Sequence, residues 1–345
     1  MSEDIRLMCP VCGAQKKDAS IFSYSCEQCK FDFAFVKFFA DDYSKEHWLN
    51  AVNEYKKQES KTNDDVTGDY ISICRDSVSF FSAKKNEVIT LFGDGRKTEK
   101  HKNVAKFVNN DNNYAVLNLD GTVEVHGDNS YGQCNVSVAE NVKFITLSST
   151  CVFIVDSNKN IHTFGSLTQR AQEIMKKWRN VEKLVVSDSL IISVDSSNKI
   201  RCIDLTDGLV ETIKDIESWN NVKKICLYKG SCVALLEDGN IVMSPEGDAY
   251  REIKTWEDII DIVYDGTYVV GLTINGDIRL AGKCKSIILD AGRKDVISWR
   301  NMVSICSSNY AFGGYDKEGK LHLTGRFGGR AERLKEEWEE VIHLM

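Results

Sequence analysis

The stretch WRNVEKLVVSDSLIISVDSSNKI, residues 178–200, decides the fold because its opening motif recurs along the chain. The motif W-x-x-(V/I/M) begins five times, at intervals of 41, 37, 43 and 39 residues. Its tryptophans are Trp178, Trp219, Trp256, Trp299 and Trp338. A period near forty residues in β-rich sequence is typical of repeat architectures. His101 in HKNV and Ala139 in AENV occupy the same slot, so the repeat extends toward the N-terminus.

Each slot is followed by an apolar stretch, a polar turn and a hairpin whose strands alternate apolar and polar residues. Seven such hairpins occupy residues 77–93, 113–127, 151–165, 189–203, 232–244, 268–282 and 311–325. Asp120-Gly121, Asp238-Gly239 and Asn275-Gly276 favour tight hairpin turns. Seven repeats of three or four short strands predict a mainly β chain that forms a seven-bladed β-propeller over residues 70–345. Radial closure leaves only short, protected sheet edges.

One repeat carries a family resemblance. The stretch LDGTVEVHGDNSYGQCNV, from Leu119 to Val136, resembles the repeat of the regulator of chromosome condensation family. The W-x-x-V-x-x-I openings resemble the bacterial members, and the likeness covers roughly residues 70–345. Only the repeat that ends near Val138 has the full GDN-x-YGQC signature. The resemblance implies a seven-bladed propeller that acts by binding, but the nucleotide exchange catalysed by a eukaryotic member is not carried over.

Two segments compete for the role of closing the ring. WEEVIHLM, residues 338–345, has the pattern of the opening strand of an eighth unit. Tyr70–Cys74 matches Met302–Cys306 and already supplies an opening strand for the first unit. The sequence leaves open how the terminal strand is used.

The N-terminus has a four-cysteine motif. Cys9-Pro10-Val11-Cys12 and Cys26-Glu27-Gln28-Cys29 form two C-x2-C knuckles separated by 13 residues. Paired knuckles point four thiolates at one tetrahedral centre, which predicts a structural Zn²⁺ in a zinc ribbon over residues 1–40. So small a segment needs the ion for its folding energy. Two disulfides or an iron–sulfur cluster are the alternatives.

Residues 41–69 connect the two predicted modules. Trp48, Val52 and Tyr55 fall on one stripe of a helix that runs from Asp41 to about Lys57. The charged stretch from Lys56 to Asp69 has the composition of a linker.

Composition limits the compartment and the class of partner. The chain has 345 residues, 42% of them hydrophobic, and neither a signal peptide nor a transmembrane span is recognisable, so we expect a cytoplasmic protein. The eight other cysteines fall mostly in strand sequence and are expected to be buried, reduced thiols. The net charge of −7 is spread over both modules, which argues against nonspecific nucleic-acid binding.

Motifs for catalysis are missing from the sequence. GDGRKT, residues 93–98, lacks the spacing of a phosphate-binding P-loop, and neither H-E-x-x-H nor G-x-S-x-G occurs. We therefore predict that the protein is not an enzyme.

Two surfaces are candidates for partner binding. The first is the set of turns between the first and second strands of each repeat, which would gather at one end of the channel. The second is GRFGGRAERLKEEW, where arginines flank a phenylalanine that we expect to be exposed. The candidate residues are Arg75, Asn110, Asn112, Lys229 and Tyr310 in the turns, and Arg326, Phe327 and Arg330 in the second segment.

The sequence thus predicts a non-enzymatic, cytoplasmic interaction protein in which a zinc ribbon and a propeller form a docking platform for a protein partner. One alternative is a nucleic-acid-associated regulator whose zinc ribbon contacts DNA or RNA. The other is a propeller that binds a carbohydrate or metabolite, which a deep channel-mouth pocket lined by polar groups would favour.

Overall fold

The computed structural model describes residues 69–137, 142–284, 292–327 and 329–342. The predicted zinc ligands Cys9, Cys12, Cys26 and Cys29, and the predicted helix from Asp41 to about Lys57, lie outside these residues. Both therefore stay predictions.

Seven antiparallel sheets, here called blades 1 to 7, follow one another along the chain. Blade 1 consists of β1 (Tyr70–Ile73), β2 (Ser77–Ser82), β3 (Glu87–Phe92) and β4 (Glu99–Lys102). Blade 2 consists of β5 (Val104–Asn109), β6 (Asn113–Asn118) and β7 (Val123–Gly127). Blade 3 consists of β8 (Val142–Leu147), β9 (Cys151–Asp156) and β10 (Ile161–Gly165). Blade 4 consists of β11 (Val181–Val186), β12 (Leu190–Asp195) and β13 (Ile200–Asp204). Blade 5 consists of β14 (Val222–Tyr228), β15 (Ser231–Leu236) and β16 (Ile241–Ser244). Blade 6 consists of β17 (Ile259–Tyr264), β18 (Tyr268–Thr273) and β19 (Ile278–Gly282). Blade 7 consists of β20 (Met302–Ser308), β21 (Ala311–Asp316) and β22 (Leu321–Gly325).

The blades form a closed ring. The first strand of each blade contacts the first strand of the next, and β20 of blade 7 contacts β1 of blade 1. The first strands therefore surround the channel, and the hairpins extend outward from it. This arrangement confirms the predicted mainly β, seven-bladed propeller.

A left-handed residue precedes the first strand of five blades. Asn103, Asn180, Asn221, Asp258 and Asn301 have φ values between 53° and 59°. Asn and Asp tolerate this conformation better than other non-glycine residues because their short side chains hydrogen-bond locally. The third position of the repeated motif thus starts each of these blades with a sharp turn.

The predicted hairpin turns are present. Gly121, Gly239 and Gly276 have φ values of 84° to 86°, and each amide donates to the carbonyl three residues before it. A glycine is favoured there because it reaches positive φ without steric cost.

Helices occupy the connections between later blades. They are α1 (Gln169–Met175), α2 (Val210–Ser218), α3 (Tyr250–Ile253), a 3-10 helix (Arg293–Ser298) and α4 (Arg330–Ile342). Trp178, Trp219, Trp256 and Trp299 follow these helices, Trp338 lies within α4, and all five pack between neighbouring blades. Trp178, for example, belongs to one buried cluster with Phe153 of blade 3 and Leu184 of blade 4. Their predicted packing role is confirmed.

The expectation that WEEVIHLM forms a strand is wrong over its described part, because residues 338–342 continue α4. Trp338 is 1% exposed and lies between blades 7 and 1, with its ring centroid 5.4 Å from that of Phe80 and 6.3 Å from that of Tyr315. Its indole Nε1 donates to the Gly319 carbonyl at 2.7 Å. The ring is therefore closed by β1 beside β20, and α4 packs into the junction.

Among the described residues, no helix combines the length and the apolar composition needed to cross a lipid bilayer.

Candidate binding cavity at the channel mouth

A cavity of about 940 Å³ opens at one end of the channel. Six of the seven turns between first and second strands contribute to its lining, so the predicted gathering of these turns at one face is observed. All eight candidate residues also line it: Arg75, Asn110, Asn112, Lys229, Tyr310, Arg326, Phe327 and Arg330. The two surfaces that the sequence suggested separately are therefore one surface. Whether a partner binds these residues stays a prediction.

Hydrogen bonds join the turns of blades 1 to 4 in sequence. The amide of Arg75 donates to Asp111 Oδ1 at 3.1 Å, which links blades 1 and 2. Asn110 Nδ2 donates to the Ser148 carbonyl at 2.9 Å, which links blades 2 and 3. The amide of Ser149, in the same turn as Ser148, donates to Asp188 Oδ1 of blade 4 at 2.9 Å.

The circuit continues through blades 5 to 7. Ser187 Oγ of blade 4 donates to the Lys229 carbonyl at 2.7 Å. Ser231 Oγ and the Tyr264 hydroxyl lie 3.1 Å apart, and Ser307 Oγ donates to the Tyr264 carbonyl at 3.2 Å. Asn309 Nδ2 then donates to Asp111 Oδ2 at 2.9 Å, which returns from blade 7 to blade 2. The turns are thereby cross-linked around the mouth, and a network of this kind holds its members rigidly.

Two tyrosines, one from blade 5 and one from blade 7, meet over the turn of blade 6 at the edge of the cavity. The hydroxyl of Tyr228, at the end of β14, donates to that of Tyr310 at 3.5 Å. Gly266, in the turn of blade 6, has φ of +88°, and a Cβ placed there would overlap the Tyr228 ring. Desolvation and the contact with Tyr310 raise the pKa of Tyr228, so its hydroxyl stays protonated at neutral pH. Tyr228 can pass between its neighbours because blade 6 has a glycine there.

A buried ion pair lies next to the ring of Tyr310. Arg293 of the 3-10 helix pairs with Asp265, and neither side chain is exposed to solvent. Asp265 Oδ1 also accepts the amides of Thr267 and Tyr268 at 2.9 and 2.8 Å. The Arg293 Cζ lies 5.3 Å from the centroid of the Tyr310 ring, within the range of a cation–π interaction.

The second predicted segment divides into exposed and buried residues. Arg326 and Arg330 are exposed, and Arg330 pairs with Asp76 of blade 1. The expectation of an exposed Phe327 is wrong, because it is 3% exposed and packs in the cluster that joins blades 7 and 1. It lies two residues after the end of β22, and its ring is buried in this cluster, so it forms part of the cavity wall and not a free aromatic surface.

The cavity lining carries more positive than negative charge. Its charged residues are Arg75, Lys229, Arg326, Arg330, Asp111 and Asp188. All four cationic side chains belong to exposed residues. Both carboxylates already accept hydrogen bonds from the neighbouring turns. Arg330 is paired with Asp76, so the other three cations and the two carboxylates remain, and the lining has a small excess of positive charge.

Sequence reasoning missed Tyr228 and Arg293. Tyr228 and Tyr264 are the last residues of β14 and β17, yet only Tyr228 lines the cavity. The signal that separates them is Gly266, which leaves room for the Tyr228 ring. Arg293 precedes its tryptophan by several residues, and nothing in its sequence context indicates that it is buried.

The chemistry of the lining is suited to binding. The thiol of Cys74 donates to the Asn110 carbonyl at 3.1 Å, and burial raises its pKa, which makes it a poor nucleophile. Over the part of the chain that is described, no group of three or more His, Cys, Asp or Glu side chains is arranged to hold a metal ion. The polar groups and cations of the lining can orient a ligand.

Comparison with known proteins supports the fold. No protein-family model matches the sequence, and no curated protein is significantly similar to it. The CRINKLY WD40 ectodomain of the Arabidopsis thaliana receptor kinase ACR4 has a similar structure, with a TM-score of 0.56, 10% identity, and coverage of 75% of this chain and 94% of that chain. The ectodomain of the Physcomitrella patens receptor kinase CR4 has a TM-score of 0.51 and 10% identity, with coverage of 75% and 73%.

A third similar structure is Prp20p from Saccharomyces cerevisiae, the yeast RCC1, with a TM-score of 0.50, 12% identity, and coverage of 78% of this chain and 85% of that chain. Its name is that of the family that the Leu119–Val136 repeat resembles. At these identities the similarity shows a shared β-propeller fold and nothing about function.

Proposed function

We propose that this protein is a non-enzymatic interaction module that docks a protein partner on the cavity face of its propeller. The observation that carries the proposal is the gathering of all eight candidate residues around one cavity. Prp20p was studied for its binding to Gsp1p and histones, so one protein with a similar fold binds other proteins.

Backbone conformation also supports a binding role for this face. Lys229 and Tyr310, in the turns of blades 5 and 7, have φ values of 51° and 60°. Bulky residues rarely adopt the left-handed region, and each such residue costs on the order of 1–3 kcal/mol. Side chains that persist there despite this cost are often functional.

A steric block on each face tests the proposal. Asn112→Trp places a large ring at the cavity, and Asn158→Trp places the same ring in an exposed hairpin turn at the other end of blade 3. We expect the first variant to lose a protein that the parent chain captures from lysate, and the second to retain it, as measured by quantitative mass spectrometry. Equal capture by both variants contradicts docking at the cavity.

A second function is favoured by the cavity itself. Its volume of about 940 Å³ and its converging amide, hydroxyl and cationic groups are features of small-molecule sites. Thermal-shift screening of sugars and metabolites against the parent and Asn112→Trp tests this alternative. A ligand that stabilises only the parent supports it.

The proposals for residues 1–68 rest on the sequence. We retain a structural Zn²⁺ bound by Cys9, Cys12, Cys26 and Cys29, and a cytoplasmic location. Contact of this segment with DNA or RNA stays an alternative, which a gel shift at several salt concentrations tests.

A further inference from the structure

Two cationic side chains and two tyrosines form a row at the cavity mouth, with the tyrosines between the cations. Lys229 Nζ lies 5.6 Å from the centroid of the Tyr228 ring, and Arg326 Cζ lies 5.3 Å from that of Tyr310. The two tyrosine hydroxyls meet at 3.5 Å between them. A cation therefore stands over each ring, and two phenol groups lie between the cations.

The cations come from separate parts of the ring. Lys229 belongs to blade 5, Arg326 follows blade 7, and Arg75 belongs to the turn of blade 1. A ligand that uses all three must reach across several blades and carry negative charge at intervals.

We propose, building on the docking function above, that this row binds an acidic segment of the protein partner, an extended peptide with carboxylates at intervals along its length. Successive carboxylates pair with Lys229 and with the guanidinium groups of Arg326 and Arg75. The peptide backbone and the aliphatic parts of its side chains lie over Tyr228 and Tyr310, whose hydroxyls hydrogen-bond to it. Guanidinium groups suit this role because they bind carboxylates through paired hydrogen bonds.

The charge distribution favours a peptide over a nucleic acid. The whole chain has a net charge of −7, which repels either kind of polyanion at long range, so the arrangement of charges at the cavity decides between them. Asp111 and Asp188 interrupt the cationic rim and would face a continuous phosphate backbone at close range. A peptide can place neutral residues opposite these carboxylates and acidic residues opposite the cations.

The test uses the full chain and two fluorescent peptides. One peptide has Glu at every second position, and the other has Gln at the same positions. We expect the acidic peptide to bind saturably in fluorescence anisotropy, and the Gln peptide to bind at least about tenfold more weakly. Binding should weaken between about 0.05 M and 0.3 M salt, because exposed charges are screened over that range.

Matched variants locate the binding. Lys229→Gln and Arg326→Gln should each reduce the affinity for the acidic peptide several-fold. Lys143→Gln and Arg279→Gln remove exposed cations of the same types away from the cavity and should leave it unchanged. Urea unfolding of all four variants checks that they remain folded.

Several results would overturn the proposal. The first two are a failure of the acidic peptide to bind saturably and equal binding of the Gln peptide. A third is an equal effect of the cavity variants and the control variants on affinity. The last two are competition by free glutamate at the same concentration as the peptide and equally tight binding of single-stranded DNA. Loss of the lysate partner in Asn112→Trp, with full retention in Lys229→Gln and Arg326→Gln, leaves docking intact and rejects the acidic segment. Full retention in all three variants rejects docking itself.

Discussion

The hydroxyl of Tyr228 lies 3.5 Å from that of Tyr310, although the two residues belong to blades 5 and 7. Blade 6 permits this contact because its turn has Gly266 where a larger residue would occupy the space. The missing side chain in blade 6 thus leaves the space in which tyrosines of blades 5 and 7 meet at the edge of the cavity.

Replacing Gly266 tests this relationship. Gly266 and Gly239 have similar φ values, +88° and +86°, but a Cβ on Gly239 meets nothing within 4 Å, whereas one on Gly266 overlaps Tyr228. Gly239→Ala should therefore lower the free energy of unfolding by about 1–2 kcal/mol, the cost of placing an alanine in the left-handed region. Gly266→Ala should lower it by about 1–3 kcal/mol more, because the Tyr228 ring must move. Urea unfolding measures both, and equal losses contradict the close packing.

The buried pair next to Tyr310 gives a second prediction. Arg293→Met should destabilise the protein by about 3–5 kcal/mol, because it leaves the Asp265 carboxylate buried without its cation. Arg170→Met breaks an ion pair whose side chains are 65% and 75% exposed, and it should cost less than about 1 kcal/mol.

Adding Asp265→Asn to Arg293→Met separates charge burial from lost packing. The introduced side-chain amide cannot be charged, but its oxygen still accepts the backbone N–H of Thr267, so the double variant should recover part of the stability. If the double variant is as unstable as the sum of both single changes, uncompensated charge is not the cause.

The ring closure gives a third prediction. Trp338→Ala should cost about 3–5 kcal/mol, because this side chain is 1% exposed and fills the junction between blades 7 and 1. Trp256→Ala removes a partly exposed ring from the junction of blades 5 and 6 and should cost less. Thermal and urea unfolding compare the two variants, and a loss in Trp338→Ala that is no greater than the loss in Trp256→Ala would contradict the role given to Trp338 in closing the ring.

The period of the repeats was sufficient to predict the seven blades, since each hairpin has its own pattern of apolar residues and turn residues. Helix α4 was missed because the tryptophan slot alone does not determine the structure that follows it. In WRNV, WNNV, WEDI and WRNM, the third residue is Asn or Asp and takes a left-handed conformation before a strand. In WEEV it is Glu340, which favours a helix, and the helix continues.

The turn residues of the candidate site were predictable for a similar reason. Asn, Ser, Asp and Gly between two apolar stretches indicate a turn, and closure of the ring brings all first turns to one end. Long-range relationships were not predictable. The contact between Asn309 and Asp111 joins residues 198 positions apart, and the approach of Arg326 to Tyr310 depends on how blade 7 meets blade 1.

The zinc proposal has a direct test. Purified full chain should contain about one Zn²⁺ per molecule by elemental analysis, as one four-thiolate site binds one ion. Changing Cys9 and Cys12 to Ser together should abolish the zinc. Changing Cys134, a cysteine of the propeller, to Ser should leave it in place. Iron in place of zinc, or zinc retained in the double variant, contradicts the assignment.

Acid sensitivity should come from aspartates at the ends of second strands. Asp316 Oδ2 lies 2.8 Å from His322 Nε2, and Asp156 Oδ2 lies 3.0 Å from His162 Nε2. Burial alone would raise the pKa of Asp316, but the hydrogen bonds from His322 and from the amides of Lys320 and Glu318 outweigh it and hold the pKa below its usual range. The pKa of an Asp in the unfolded chain is about 3.9.

Because the folded pKa is depressed, the stabilisation by Asp316 is fully present above about pH 3.9 and is lost as the pH falls through the folded value. Asp316→Asn should therefore be less stable than the parent at neutral pH, and the difference should shrink below about pH 4. Asp248→Asn, at an exposed site, should keep the pH dependence of the parent. Urea unfolding from neutral pH into acid measures all three proteins, and a gap between Asp316→Asn and the parent that stays constant with pH would assign the loss to packing and not to titration.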